Sequence, residues 1–375
     1  MNTAEVKYFS WKDGTQVVVN KGRGYPRLFK LADGRLACAF DGMYVKFSSD
    51  DGLTWSDAVA ASKFPEYEGL FCANAALWQL DDGEIFLAYR ANGRKANTPA
   101  GEHYTSIQVS ASKDNGKTWY HHSTVYEHSG RGGVYEPHFE LMDGIVTVFY
   151  ANDTEEVNVL PYQYIEYKQW INGKWTNRTV VADGIKHNSR DGMPVWQQLS
   201  TGQYVCAIEG WYPGTAELCI QLFYSDDGVK WSDPVTVYRG KSGYAGAPYV
   251  VELATGQLLI VFQCRDNLNG EHFSETITQA ILSDGTPVEY LTEANFSAPD
   301  NVFNLKDGES GDWNCLYLSS KYLYVASSGV RLKRIALDEL YKFVWDVFCS
   351  WYIELSKPAF MAKGTEQNKV SQNVI

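Results

Sequence analysis

The stretch S-S-D-D-G-L-T-W, Ser48 to Trp55, returns as S-K-D-N-G-K-T-W, Ser112 to Trp119. One pattern, S-x-D-x-G-x-T-W, is thus written twice, 64 residues apart. A degraded third copy reads Asp226, Gly228 and Trp231, with Tyr224 in the place of the Ser and Lys230 in that of the Thr. A repeat of this period decides architecture before any single residue does, because each unit can bury its apolar face only against its neighbours.

A second pattern aligns the units outward from the first. It reads PRLFKLADGRLACAF from Pro26, ANAALWQLDDGEIFLAY from Ala73 and EPHFELMDGIVTVFY from Glu136. It continues as MPVWQQLSTGQYVCAIE from Met193, APYVVELATGQLLIVF from Ala247 and WNCLYLSSKYLYVASS from Trp313. Each phrase is an apolar strand, a short turn (D-G or T-G in most) and a second strand, which is a β-hairpin. A looser strand pair follows each one, as in MYVKFSSDDGLTWSDAVAA. Six four-stranded units in series predict an all-β, six-bladed β-propeller over residues 1–335. The segment VKYFSWKDGTQVVV would supply the strand missing from the last blade and close the ring.

Composition agrees. Aromatic residues make up 14% of the chain and Gly 32 of 375 positions, as short strands and tight turns require. The formal charge of −12, with no Lys/Arg cluster, argues against nucleic acid and anionic membranes as partners. No apolar run is long enough to span a bilayer. The start MNTAEVKYFSW carries no apolar signal segment, so the expected location is the cytoplasm, or outside the cell if a leader was removed. Seven cysteines with no C-x-x-C read as reduced thiols, with Cys72 the one placed to line a cleft. No His/Cys/Asp cluster has ligand spacing, so neither metal nor cofactor is expected.

The repeated Asp motif is read as a turn. Asp-x-Asp-x-Gly looks like a calcium loop, but neither intact copy has the later acidic ligands or the closing Glu. Asp and Ser suit turn amides, Gly takes positive φ, and Trp packs between strands. The chemistry belongs elsewhere. Residues just before the first strand and just after the second crowd one end of the central channel. The polar ones are Arg27, Asp41, Arg90, Glu136, Glu209, Arg265 and Asp266. Glu209 ends the apolar run YVCAIE and is followed by Trp211; Glu136 lies between Tyr135 and Pro137. A carboxyl group in such surroundings has a raised pKa, which suits a general acid. Two carboxyl groups facing each other across a pocket suit glycoside hydrolysis. Tyr25, Phe71, Tyr135, Trp211 and Tyr244 are candidate platforms for sugar rings, Arg190 is a further binding candidate, and His138 is either a strand residue or a sugar contact.

The two intact motifs resemble the Asp-boxes of sialidase-type propellers. The phrases GYPRLFKLADGRLACAFDG, GGVYEPHF, RDGMPVWQQLSTGQYVCAIEG and AGAPYVVELATGQLLIVF together resemble glycoside hydrolase family 93, over roughly residues 5–335. That resemblance implies an exo-acting, retaining enzyme that releases arabinobiose from α-1,5-linked L-arabinan. It maps the paired catalytic glutamates onto Glu136 and Glu209, with Glu209 assigned as nucleophile, Glu136 as acid/base, and the reverse left open. Retention would call for carboxyl groups about 5–5.5 Å apart, inversion for about 6.5–9.5 Å. The alternatives are an exo-α-sialidase and a propeller that only binds glycans. Arg27 and Arg265 resemble two of the three sialidase arginines. The third has no clear match, and DWNCLY stands where the late Tyr-Ser phrase would be.

The period changes after RLKRI. Leu340, Phe343, Val344, Val347, Phe348, Trp351 and Leu355 recur at helical spacing, and Pro358 would end that helix. Residues 336–375 are expected to be a helical extension that packs on the propeller or pairs two copies of the chain. The stretch F-C-S-W-Y-I-E-L-S-K-P resembles the anticodon-binding region of valyl-tRNA synthetases, from which no function is carried over.

Overall fold

The computed structural model describes residues 11, 14–62, 71–93, 103–157, 161–211, 217–266, 276–306 and 308–336. Six antiparallel sheets follow one another along the chain, and the six-bladed β-propeller is present. Blade 1 holds Arg27–Lys30, Leu36–Phe40, Tyr44–Ser48 and Val59–Ala60. Blade 2 holds Phe71–Gln79, Ile85–Gly93, Tyr104–Ser112 and Tyr120–Ser129. Blade 3 holds Val134–Met142, Ile145–Asn152 and Tyr164–Ile171, with Lys174–Trp175 and Thr179–Ala182 on its outer edge. Blade 4 holds Arg190–Gln198, Tyr204–Trp211, Leu218–Ser225 and Val235–Arg239. Blade 5 holds Ala245–Glu252, Leu258–Cys264, Ile277–Leu282 and Asp300–Asn301. Blade 6 holds Cys315–Leu318, Tyr322–Ser327 and Arg331–Ala336, completed by the N-terminal strand Thr15–Val18. The ring closes as the N-terminal segment suggests, with Val17 opposite Leu332 and Val18 opposite Arg331. The helical extension expected at 336–375 lies outside the described residues beyond Ala336, which ends a strand.

The second strands are covered on both faces by neighbouring blades, which is why they are mostly apolar rather than alternating. All five side chains of Leu36–Phe40 and all seven of Leu258–Cys264 are buried. Aromatic stacking joins blades 3 and 4, where Phe149 lies 4.4 Å from Trp196. Five of the six described cysteines are buried and free; Cys72 is half-buried.

The Asp motifs form turns at the rim where the second strands begin. Asp50 accepts from the Thr54 N–H (2.9 Å) and the Thr54 hydroxyl (2.6 Å), while the Gly52 N–H donates to Ser48 Oγ (2.8 Å). Asp114 makes the same pair of bonds to Thr118, at 2.8 and 2.6 Å. In the third copy the register differs from the sequence alignment. Ser225 and Asp227, not Tyr224 and Asp226, take the Ser and Asp roles: the Gly228 N–H donates to Ser225 Oγ (2.9 Å) and the Lys230 N–H to Asp227 (2.7 Å). The turn is one residue tighter, and Asp226 instead accepts from Gln203 (2.8 Å).

At the opposite rim the innermost strands share a distortion. Their register slips between Ala73 and Ala76, Tyr135 and His138, Gly192 and Val195, and Gly246 and Tyr249. In each case two residues oppose one, which is a β-bulge. The residue at the slip adopts a left-handed backbone: Asn74 (φ 58°), Glu136 (61°), Met193 (53°) and Ala247 (47°). Tyr25 (55°) and Trp313 (53°) occupy the matching positions in blades 1 and 6. A left-handed non-glycine residue costs about 1–3 kcal/mol, so six in register need compensation from their surroundings.

Candidate active site

The compensation is visible at the mouth of the channel. The N–H of a left-handed residue donates to a side chain brought by the preceding blade. The Asn74 N–H reaches Asp41 Oδ1 (3.2 Å), and the Trp313 N–H reaches Gln263 Oε1 (2.8 Å). The Met193 N–H reaches Glu136 Oε2 (2.7 Å), and the Ala247 N–H reaches Glu209 Oε2 (2.8 Å). Both glutamates are therefore gripped by the adjoining blade through one oxygen, leaving the other for chemistry.

Gly192 lies between them. Glu209 is its register partner on the next strand. A β-carbon on Gly192 would stand 3.2 Å from Glu209 Oε1 and 3.6 Å from Glu136 Oε2. By those two distances the oxygens are at most about 7 Å apart. Gly246 is as tightly constrained: its β-carbon would stand 2.6 Å from Glu209 Oε2 and 2.9 Å from Leu218 Cδ2.

The electrostatics of the two carboxyl groups differ. Burial raises Glu209 most, the charge of Glu136 adds to it, and the Ala247 N–H and Arg190 oppose it, which leaves it at about 7. Burial is the largest effect on Glu136 too and leaves its carboxyl raised, although the Met193 N–H and three arginines, Arg190, Arg90 and Arg27, pull the other way. Arg190 acts on Asp153 and Tyr135 as well, so it lies in the midst of the acidic groups. Arg90 lies over Tyr135 (5.2 Å) and Phe71 (5.7 Å), and its buried Nε has no hydrogen-bond partner among the described residues. On the far side Arg265 lies 4.5 Å over Tyr244, whose hydroxyl accepts from Gln263 (2.8 Å). Trp211 stands half-buried at the end of the Glu209 strand.

Three expected contacts sit elsewhere. Arg27 is 4% exposed, and its guanidinium lies 3.9 Å from the Tyr25 ring and donates to the Pro26 carbonyl (2.8 Å), with the Asn314 carbonyl at 3.3 Å. It forms part of the channel floor, because a buried guanidinium must spend its donors on protein acceptors. His138 is 6% exposed and meets Tyr249 edge-on at 5.5 Å. Burial and Arg27 push its imidazole down to about 3, so it stays neutral in that floor. Asp266 braces a loop, accepting from the Tyr238 hydroxyl (2.8 Å) and from the Lys241 (2.7 Å) and Ser242 (2.8 Å) N–H groups. Its carboxylate is held there by turn chemistry, as Asp often is.

Sequence reasoning passed over Asn74, Asp153 and Trp313. Asn74 and Trp313 fill the same place in the hairpin phrase as Glu136, and that alignment was the available signal. Trp313, 41% exposed, presents a ring at the rim against Gly24, whose β-carbon would stand 2.9 Å from it. Among the described residues no group of three or more His, Cys, Asp or Glu side chains is arranged to hold a metal ion. No helix among them is long and apolar enough to cross a membrane.

A family model described as the anticodon-binding domain of tRNA ligase matches residues 333–375. Its first four residues belong to the closing strand of blade 6. Among solved structures the chain is similar to the Penicillium chrysogenum alpha-L-arabinanase complexed with arabinobiose, at 20% identity and a TM-score of 0.64, covering 87% of this chain and 98% of that one. It is similar to the GH93 alpha-L-arabinofuranosidase of Fusarium graminearum with arabinobiose, at 17% identity, a TM-score of 0.64, and coverage of 87% and 98%. It is also similar to a Hadza microbial sialidase, at 14% identity, a TM-score of 0.58, and coverage of 84% and 66%. What these likenesses establish is the fold: the chain is built as the propellers of arabinan-cleaving enzymes and sialidases are.

Proposed function

We propose that this chain is a retaining, exo-acting glycoside hydrolase that releases arabinobiose from α-1,5-linked L-arabinan. The observation that carries the reading is the meeting of Glu136 and Glu209 over Gly192, each gripped through one oxygen by the next blade. The substrate rests on the resemblance of the hairpin phrases to family 93 and on the likeness to two fungal proteins solved with arabinobiose. The two intact Asp turns are read as Asp-boxes.

The electrostatics favour reversing the roles first assigned. Glu136, whose charged form three arginines favour against the burial that raises it, is assigned here as the nucleophile. Glu209, held at about 7, is the better proton donor. In the first step a Glu136 oxygen attacks the anomeric carbon, the glycosidic C–O bond breaks, and the Glu209 proton passes to the leaving oxygen. In the second, Glu209 takes a proton from water, the water oxygen attacks the same carbon, and the bond to Glu136 breaks. Arg90 and Arg190 offer donors to sugar hydroxyls, and Tyr135, Trp211 and Tyr244 offer faces to the rings.

Arg27 tells against the sialidase alternative, since it is 4% exposed and its Nη1 is turned to the Pro26 and Asn314 carbonyls. The test is turnover of linear arabinan with product analysis. Arabinobiose released with retained configuration by the wild type, and not by Glu209→Gln or Glu136→Gln, supports the proposal. Cleavage of sialyl-lactose with arabinan untouched overturns it.

A further inference from the structure

The channel continues beyond the floor of the mouth. Arg27, His138 and Tyr249, from blades 1, 3 and 5, meet across the axis. Tyr249 lies 5.6 Å from the Arg27 guanidinium and 5.5 Å from the His138 ring. Past this layer the same strands line a cavity of about 320 Å³ whose walls include Phe29, Trp78, Glu140 and Tyr317. Phe29 and Glu140 each follow a floor residue by two positions, which on a strand keeps them on the same face and carries them about 7 Å farther from the mouth. Phe29 touches both other rings, at 5.3 Å from Trp78 and 6.2 Å from Tyr317.

Glu140 is the anomaly in this chamber. It makes no ion pair among the described residues, and its one favourable hydrogen bond is with the backbone of its neighbour Leu141. Arg27, the nearest arginine of the lining, is committed to carbonyls and to the rings of Tyr25 and Tyr249. An unpaired, half-buried carboxyl group in a chamber lined by aromatic side chains narrows the choice of ligand. Anions are repelled. A bare metal ion would find one carboxylate where hard cations take six or more oxygens. A sugar would find too few hydrogen-bond partners for its hydroxyls. A small organic ammonium ion satisfies both features, as its charge pairs with the carboxylate while its alkyl groups lie on the ring faces.

We propose that the half of the channel remote from Glu136 and Glu209 is a second binding site, for a small organic ammonium ion, formed by Glu140 with Phe29, Trp78 and Tyr317. It is separate from the glycosidase reading and stands or falls without it.

Titration calorimetry on the full chain tests it, with tetramethylammonium and n-butylammonium chloride as probes and sodium chloride as the control. Saturable binding of an ammonium probe, weakened at least about tenfold in Glu140→Gln and in Trp78→Leu, supports the site. A pH series on the wild type gives a readout that needs no variant. Burial pushes the Glu140 carboxyl up to about 8, so affinity should rise from pH 6 to pH 9 as it ionises. The groups that face it do not titrate in that window: burial raises the Tyr249 and Tyr317 phenols, the His138 imidazole stays neutral, and Arg27 stays charged. Heat indistinguishable from sodium chloride at every pH, or equal affinity in Glu140→Gln, overturns the proposal.

Discussion

At the scale of single residues, Glu209 is where pH acts most directly. Burial first, and then the charge of Glu136, raise its carboxyl to about 7. A glutamate in an unfolded chain titrates near ~4.3. The folded value is the higher one, so the fold favours the protonated form. Any contribution it makes to stability is whole below pH ~4.3 and declines as pH rises toward about 7. Two measurements follow. As general acid, Glu209 must hold its proton, so kcat/KM on arabinan should fall above pH about 7. As a strained carboxylate, it should be a liability at alkaline pH: Glu209→Gln is expected to raise Tm by roughly 2–4 °C at pH 8 and to leave it unchanged at pH 4. An unchanged Tm at both pH values would mean that solvent relieves the burial. The roles of the pair can be separated chemically. With a dinitrophenyl leaving group, which departs without a proton, Glu209→Gln should still break the glycosidic bond. Glu136→Gln should lose about 10²-fold or more on the same substrate, because the nucleophile itself is gone.

Single strands explain how those residues are held. The bulge on four inner strands throws one residue into a left-handed backbone, and in three of them its N–H closes onto a side chain of the preceding blade. Gly246 is the tightest point of that arrangement. Its φ is ordinary, so Gly246→Ala would fold, but the added carbon meets Glu209 Oε2 at 2.6 Å. The expected result is a loss of about 10²-fold in kcat with a nearly unchanged circular dichroism spectrum. A variant of normal activity would show that Glu209 need not stand there. Hairpins and their order were legible in the sequence, because apolar runs and D-G or T-G turns act locally. That Glu136 would take φ 61° was not, since no propensity favours a left-handed glutamate. Only its place in the six-fold phrase could have shown it, and the same place marks Asn74 and Trp313. Arg27 was assigned to the mouth, and His138 left between strand and sugar contact, for a related reason. Chain position gives the height of a residue along its strand, but not which layer of the channel its side chain fills. The third Asp turn slipped because Asp226 and Asp227 are adjacent, and spacing alone cannot choose between them.

For the molecule as a whole, the question is what keeps six blades in a ring. Consecutive blades pack face to face, but blades 1 and 6 are joined through a strand from the far end of the chain. Thr15–Val18 pairs with Arg331–Arg334, the Val19 N–H donates to the Val330 carbonyl (2.8 Å), and Trp11 is 2% exposed. The Asp turns add links at the opposite rim: the Arg334 side chain donates to the Asp51 carbonyl (2.9 Å), joining blade 6 to blade 1. Without the N-terminal strand, Arg331–Ala336 would become an open edge of unpaired main-chain groups, which invites pairing with another chain. A chain begun at residue 21 should therefore be oligomeric or aggregated by light scattering, and its unfolding transition should broaden. Adding a synthetic peptide of residues 11–20 should restore the size of the full chain by light scattering and sharpen the transition, because the missing strand binds through the same main-chain ladder. If the shortened chain keeps the size of the full chain and an unchanged Tm, closure depends instead on the contacts between blades 1 and 6 at the rim. Arg334→Ala would then be the destabilising change, and it would act alone.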